Sequence, residues 1–226
     1  MSEPSFASLS IFFPMWNEED YINRALDSAQ EVCELLVEVG EIGAYELIVV
    51  NDASTDATGQ IAEERAAADS RIKVVHHEVN RKLGGSLKSG FAAATGELVL
   101  YTDADLPFEM LELIKAVRLM REYEADLVCA YRFDRTGEGL KRTIYSFAYN
   151  WLIQVAFGTR LRDINFAFKL IHRRALDMIT LRSEGSFIDA ELAIRANRMG
   201  YSIVQFGVDY FPRTRGVSTL SSLSVI

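Results

Sequence analysis

Residues Glu97–Pro107 read ELVLYTDADLP. The run Leu98-Val99-Leu100-Tyr101 is short, bulky and apolar, the pattern of a strand buried on both faces of a parallel sheet. It stops abruptly at Asp103-Ala104-Asp105. Pro107, with its fixed φ, then predicts a helix from that point to about Tyr123. In open α/β sheets the carboxyl ends of the strands are where ligands bind. Two carboxylates one residue apart at such an end supply hard oxygen ligands, which suit Mg²⁺ or Mn²⁺ held together with phosphates. The same two residues also read as a turn and an N-cap, so the flanking segments must decide.

Upstream, Ser8–Phe13 is a strand candidate closed by Pro14. Asn17 followed by Glu18, Glu19 and Asp20 predicts a helix start with a cap and acids in its first turn. Its apolar stripe runs through Ile22, Ala25, Leu26, Ala29, Cys33 and Leu36 and stops near Gly40. Glu46–Val50 is a second strand, closing in Asn51-Asp52-Ala53-Ser54-Thr55-Asp56, where Ser54 or Thr55 would cap a helix to about Asp69. Ile72–His76 is a third strand. Asn80–Ser86 reads as a polar, glycine-bearing loop before a short helix, Leu87–Ala94. Downstream, Leu127–Ala130 is a fifth strand and Gly139–Gly158 an aromatic helix. Phe166–His172 and Ile203–Phe211 are strands that flank a helix, Phe187–Met199. Strands alternating with helices predict a parallel sheet with right-handed crossovers. The three polar strand ends, at Asn17-Glu18, Asn51-Asp52 and Asp103-Asp105, then share one edge and form a crevice of nucleotide size. His76 and His77 read as structural.

Composition narrows the function classes. With 226 residues the chain can bury a full core without staples. A net charge of −8 leaves no basic footprint, so no nucleic-acid partner is expected. Cys33 and Cys129 lack metal-ligand spacing and read as buried thiols of a reducing compartment, which predicts a cytoplasmic protein. No run of 18 apolar residues suggests a membrane span.

With these residues in place, the chain resembles the family 2 glycosyltransferases. Pro14-Met15-Trp16-Asn17-Glu18 is similar to that family's opening motif, and Val50–Asp56 to its V-D-D-G-S-x-D segment. Asn80 with Gly84-Gly85 resembles its glycine-rich loop, and Asp103-Ala104-Asp105 its metal motif. The second half looks closest to the dolichyl-phosphate and polyprenyl-phosphate sugar synthases, through Asn150-Trp151-Leu152, Asp163–Lys169 and Arg213–Ser218. Four positions depart from the pattern: Asn51 for an acid, Ala53 and Ala167 for glycines, and Pro107 where that branch often carries a glutamine.

The resemblance implies a GT-A type nucleotide-sugar-binding sandwich, an α/β fold whose central, mostly parallel, twisted sheet is flanked by helices. Residues 1–226 would form a single domain, with 1–131 the nucleotide-binding half and 132–226 the acceptor-binding half. It implies metal-dependent, inverting transfer of a sugar from a UDP- or GDP-linked donor to a polyprenyl phosphate. Pro14, Trp16, Glu18, Asp52, Lys82, Asp103 and Ala104 would bind the nucleotide, and Asp103 and Asp105 would hold Mg²⁺ or Mn²⁺. Arg132, Arg213 and Arg215 would take the acceptor phosphate. Asp189 matches a position where many family members carry a catalytic base. A saccharide hydroxyl acceptor needs such a base, whereas a phosphate acceptor is already ionised. Transfer to a saccharide hydroxyl with Asp189 as base therefore stands as the alternative, and a non-catalytic nucleotide-sugar-binding protein as a third reading. The branch resemblance also implies peripheral contact with the inner face of the membrane, through the aromatic stretch Tyr145–Phe157 beside Lys141 and Arg142.

Overall fold

The computed structural model describes residues 3–133, 140–159 and 161–211. Seven strands form one sheet: β1 Phe6–Met15, β2 Ile42–Asn51, β3 Ile72–His76, β4 Leu98–Thr102, β5 Leu127–Arg132, β6 Phe168–His172 and β7 Ile203–Val208. The helices are α1 Ile22–Glu38, α2 Thr58–Ala68, α3 Lys82–Ala93, α4 Glu112–Glu122, α5 Leu140–Phe157, α6 Arg173–Leu176 and α7 Ile188–Arg198. The strand order is β3-β2-β1-β4-β6-β5-β7. All neighbours run parallel except β6, which lies antiparallel between β4 and β5. Both halves of the sequence contribute strands, and the architecture is the mostly parallel GT-A type sandwich that the resemblance implied.

Side-chain alternation divides the core between the two faces of the sheet. Leu9, Ile11, Phe13 and Met15 of β1 face Leu26, Cys33 and Leu36 of α1, and Leu113 and Val117 of α4 belong to the same cluster. Phe12, from the same strand, packs on the other face with Val99 and Tyr101 of β4, Leu87 and Phe91 of α3, and Leu192 of α7. Each of these large side chains, fully buried, contributes about 1.5–3 kcal/mol. Cys33 and Cys129 are buried free thiols.

Four boundaries differ from the sequence reading, each for a local reason. α1 starts at Ile22, with no acid in its first turn and no side-chain cap, because Asn17, Glu18 and Glu19 bond to the β2–α2 turn instead. α2 starts at Thr58 rather than after Ser54 or Thr55, and Asp56 Oδ1 accepts from Thr58 N at 2.9 Å. α4 starts at Glu112 rather than Pro107. Pro107 lies in a turn whose carbonyl accepts from Phe211 N at 2.8 Å. α3 begins at Lys82 and contains both glycines that had read as loop. A Cβ on Gly84 would stand 2.4 Å from the backbone carbon of Glu184. The glycine is there for a close approach, not for flexibility.

Candidate active site

The parallel strands β2, β1 and β4 end side by side, with Met15 in register with Asn51 and Phe12 with Tyr101. The loops that leave β1 and β2 are stitched to each other. Asn17 N donates to Ser54 Oγ at 3.0 Å, Glu18 N to Thr58 Oγ1 at 2.8 Å, and Thr55 N to Asn17 Oδ1 at 2.8 Å. Ala57 N donates to Glu19 Oε2 at 2.8 Å, and Asp52 N to Met15 O at 2.8 Å. Short polar residues that favour caps and turns are used here to fuse two loops into one pedestal.

Backbone strain collects on the same edge. Asn17, Ala53, Lys82 and Leu106 all have positive φ, between 45° and 59°, and Glu124 is the other described non-glycine residue that does. Ala53 thus occupies, at φ 57°, the left-handed conformation that explains the family's glycine at that position. Asn51, where the family carries an acid, is the last residue of β2 and its side chain braces the turn that follows. Its Oδ1 accepts from Ser54 N at 3.1 Å and its Nδ2 lies 2.9 Å from His76 Nδ1.

Around the pedestal the expected nucleotide residues occupy distinct positions. Pro14 is part of β1. Trp16, at 41% exposure, stands on the rim rather than in the core, so its ring is available for stacking. Asp52 is 4% exposed. Its Oδ1 accepts from Arg81 N at 2.7 Å and lies 2.6 Å from His77 Nδ1. Lys82 is exposed at the start of α3. Ala104 is buried beneath the crevice, between Asp103 and Asp105.

Asp103 is the electrostatic centre. Burial, then the carboxylates of Asp105, Asp189 and Glu18, push its pKa up to about 8, against a smaller opposing pull from Lys169. Acids gathered at a strand end with this little compensation fit a divalent cation. Among the described residues no group of three or more His, Cys, Asp or Glu side chains could by itself hold a metal ion. Asp103 and Asp105 by themselves would make a partial ligand set, of the kind Mg²⁺ and Mn²⁺ complete with substrate phosphates and water.

Asp189 lies in the first turn of α7, 2% exposed. Its Oδ1 accepts from Lys169 Nζ at 2.6 Å and from Tyr101 OH at 2.7 Å. The antiparallel β4–β6 register places Tyr101 directly opposite Lys169. Lys169 Nζ also donates to Phe166 O at 2.9 Å and lies 5.2 Å from the Tyr101 ring centroid. Burial, then the Asp189 and Asp103 charges, push the Tyr101 phenol well above its ordinary value, so it stays a proton donor. Asp189 is thus fixed in place by a buried ammonium and a buried phenol. Sequence reasoning did not see this anchor, because Tyr101 and Lys169 lie 88 and 20 residues from Asp189.

Arg132, expected at the acceptor phosphate, is paired within the protein. Its Nε donates to Asp163 Oδ2 at 2.7 Å and its Nη2 to Asp163 Oδ1 at 3.0 Å, a two-pronged pair that is nearly buried. The guanidinium lies against Phe166 and Tyr210, 5.6 and 5.2 Å from their ring centroids. The pair with Asp163 ties β5 to the Asp163–Phe166 turn. Arg213 and Arg215 lie outside the described residues, as do the side chains of Lys141, Arg142 and Tyr145. On α5, Phe147 (72%), Trp151 (57%) and Val155 (64%) are exposed at four-residue spacing, with Leu152 (57%) beside them. No helix among the described residues is long and apolar enough to cross a membrane.

The profile of glycosyl transferase family 2 matches residues 10–180, and the chain belongs to that family. It is 32% identical over 210 residues to glycosyltransferase AglD of Haloferax volcanii, a match covering 91% of this chain and 33% of that protein. It is 28% identical over 220 residues to the dolichyl-phosphate beta-glucosyltransferase ALG5A of Trichomonas vaginalis, covering 92% and 67%. With the undecaprenyl-phosphate mannosyltransferase of Micrococcus luteus it shares 29% over 189 residues, covering 78% and 76%. Among solved structures it is similar to glucosyl-3-phosphoglycerate synthase from Mycobacterium tuberculosis, crystallised with Mn²⁺ and UDP-glucose. That likeness has a TM-score of 0.70 at 24% identity, covers 94% of this chain and 73% of the other, and establishes the shared fold.

Proposed function

We propose that this chain transfers a sugar from a nucleoside diphosphate to a polyprenyl phosphate at the cytosolic face of a membrane, with inversion at the anomeric carbon. The observation that carries the choice of acceptor is the commitment of Asp189 to Lys169 and Tyr101. A hydroxyl acceptor needs a base, and the residue aligned with that role is anchored in an ion pair. A phosphate monoester needs none, because it is largely ionised near neutral pH. Two of the relatives carry names that specify dolichyl or undecaprenyl phosphate, in line with this reading.

In the donor half, Asp52 accepts from a ring N–H of the base and Trp16 stacks on it. Asp103 and Asp105 would hold Mg²⁺ or Mn²⁺, which supplies positive charge to a diphosphate leaving group. Lys82, at the start of α3, reaches the diphosphate. The acceptor phosphate falls to Arg213 and Arg215, with Arg132 paired to Asp163. An acceptor phosphate oxygen attacks the anomeric carbon from the face opposite the diphosphate. One carbon–oxygen bond forms as the other breaks, and the nucleoside diphosphate leaves. The exposed apolar side chains of α5 would rest on the bilayer that carries the lipid acceptor.

Thermal unfolding with UDP, GDP, UDP-glucose and GDP-mannose, each with and without Mn²⁺, tests the donor site. A ligand at about 100 times its Kd adds roughly 2.7 kcal/mol, which for a chain of this size is a rise of about 5–10 °C. A Mn²⁺-dependent rise with one nucleotide class is expected. No rise with any of them, in a chain that melts cooperatively, would exclude the proposal.

A further inference from the structure

His77 follows β3 and belongs to none of the motifs above, yet its side chain is only 5% exposed and has a partner on each ring nitrogen. Nδ1 is 2.6 Å from Asp52 Oδ1, and Nε2 is 2.8 Å from Ser89 Oγ on α3. The polarity at Nδ1 follows from Asp52, because a carboxylate only accepts, so Nδ1 carries the hydrogen given to it. At the far end Ser89 Oγ, with one donor and two lone pairs, bonds His77 Nε2 and accepts from Arg81 Nη1 at 3.4 Å. Asp52 Oδ1 receives a second hydrogen bond from Arg81 N at 2.7 Å. Its Oδ2 bonds to none of the described residues and is not sealed from the crevice.

We propose that His77 is a positioning residue that decides which nucleobases the crevice accepts. With Oδ1 held by two donors, Asp52 is fixed in rotation and directs Oδ2 toward the base as an acceptor. A base with a ring N–H at that point, as in uracil N3 or guanine N1, satisfies it. Cytosine N3 and adenine N1 carry a lone pair there instead, and two acceptors face each other without a proton. Sites built on a fixed hydrogen bond reject analogues that cannot make it far more strongly than apolar pockets do. Without the relay Arg81–Ser89–His77, Asp52 is free to turn away, and discrimination falls even where binding survives. This inference rests on the donor reading above.

The test is calorimetric titration of UDP, GDP, CDP and ADP in the presence of Mn²⁺, with wild type, His77→Phe, His77→Asn and Ser89→Ala. Wild type should prefer UDP or GDP over CDP and ADP by about 100-fold or more. His77→Phe should cut that ratio at least tenfold, mainly by weakening the preferred nucleotide. His77→Asn keeps a donor toward Asp52 and should restore part of the ratio, and Ser89→Ala should lower it to an intermediate value. A merely structural role would weaken all four nucleotides alike. An unchanged ratio in a folded His77→Phe protein would overturn the inference. If that variant does not fold, an unchanged ratio in Ser89→Ala would do the same. Equal wild-type binding of UDP, GDP and CDP refutes the role of His77 and leaves the donor site standing. Absence of any nucleotide binding refutes the donor reading itself.

Discussion

Replacing Lys169 by Met tests whether Asp189 is an anchored charge. The two side chains meet at 2.6 Å and are 2% and 4% exposed. Methionine follows the lysine stem and fills much the same volume, so packing changes little. The ammonium is lost, and with it the hydrogen bond to Phe166 O. Asp189 keeps the Tyr101 phenol but becomes a buried carboxylate without a counter-charge. Removing one partner of a buried pair costs about 3–5 kcal/mol, a large part of the roughly 5–15 kcal/mol that stabilises a typical domain. With a urea m-value of about 2–3 kcal/mol/M for a chain of this size, the midpoint should fall by roughly 1–2 M at unchanged m. Circular dichroism through a urea series reads this directly. The double variant Lys169→Met/Asp189→Asn removes both charges and keeps an acceptor for Tyr101. It should return to within about 1 kcal/mol of wild type, because neutral replacement of a whole buried pair is often nearly free of cost. A single variant within 1 kcal/mol of wild type, or a double variant no better than the single, would refute the reasoning.

Three further outcomes are expected. Gly84→Ala gains about 1 kcal/mol of helix propensity, but the new Cβ would meet Glu184 backbone at 2.4 Å. That loop is held by Ser183 N and Arg182 N donating to Glu191 at 2.7 and 3.0 Å, so a net loss of about 1–2 kcal/mol should appear as a lower Tm. Glu46→Gln probes pH dependence. Burial raises the Glu46 pKa, but bonds from Lys73, Ser10 and Thr95 outweigh it and hold the value at about 2. A depressed carboxylate contributes stability above its unfolded pKa and loses it as pH falls through the folded one. The wild-type advantage over Glu46→Gln should thus be constant above about pH 5, at roughly 1 kcal/mol because Lys73 is half exposed. In urea titrations at stepped pH it should fade between about 4.5 and 2. Finally, Phe147→Ser/Trp151→Ser/Val155→Ser should weaken cosedimentation with anionic vesicles at least tenfold and leave nucleotide binding intact.

The sheet and the crevice were legible because periodicity reports burial directly. The apolar runs at Ser8–Phe13, Glu46–Val50 and Glu97–Thr102 became β1, β2 and β4, and their polar ends do meet. Helix starts were less legible. Asn17, Ser54 and Thr55 carry capping chemistry, but they spend it across two loops about 38 residues apart, and a local pattern does not encode a distant partner. Gly84 and Gly85 read as loop because a glycine needed for close contact looks the same as one needed for flexibility. The same limit hid the anchors of the site. Tyr101 and Asp189 are 88 residues apart, and Arg132 and Asp163 are 31 apart. Lys169 and Asp163 stood in a recognised motif without a role. An apolar strand carrying a lone lysine, FAFKLIH, was the available signal that a buried counter-charge had to exist.

The most direct test of the central claim is hexosyl transfer by wild type and Asp189→Asn, measured in parallel. Undecaprenyl phosphate and a saccharide hydroxyl would each be offered as acceptor, with UDP-glucose or GDP-mannose and Mn²⁺. The account predicts a product one hexose heavier than the lipid phosphate by mass spectrometry, none with the saccharide, and a phosphate-acceptor rate in Asp189→Asn within about tenfold of wild type. Transfer to the saccharide alone, abolished in a folded Asp189→Asn protein, would contradict it and return Asp189 to the role of base.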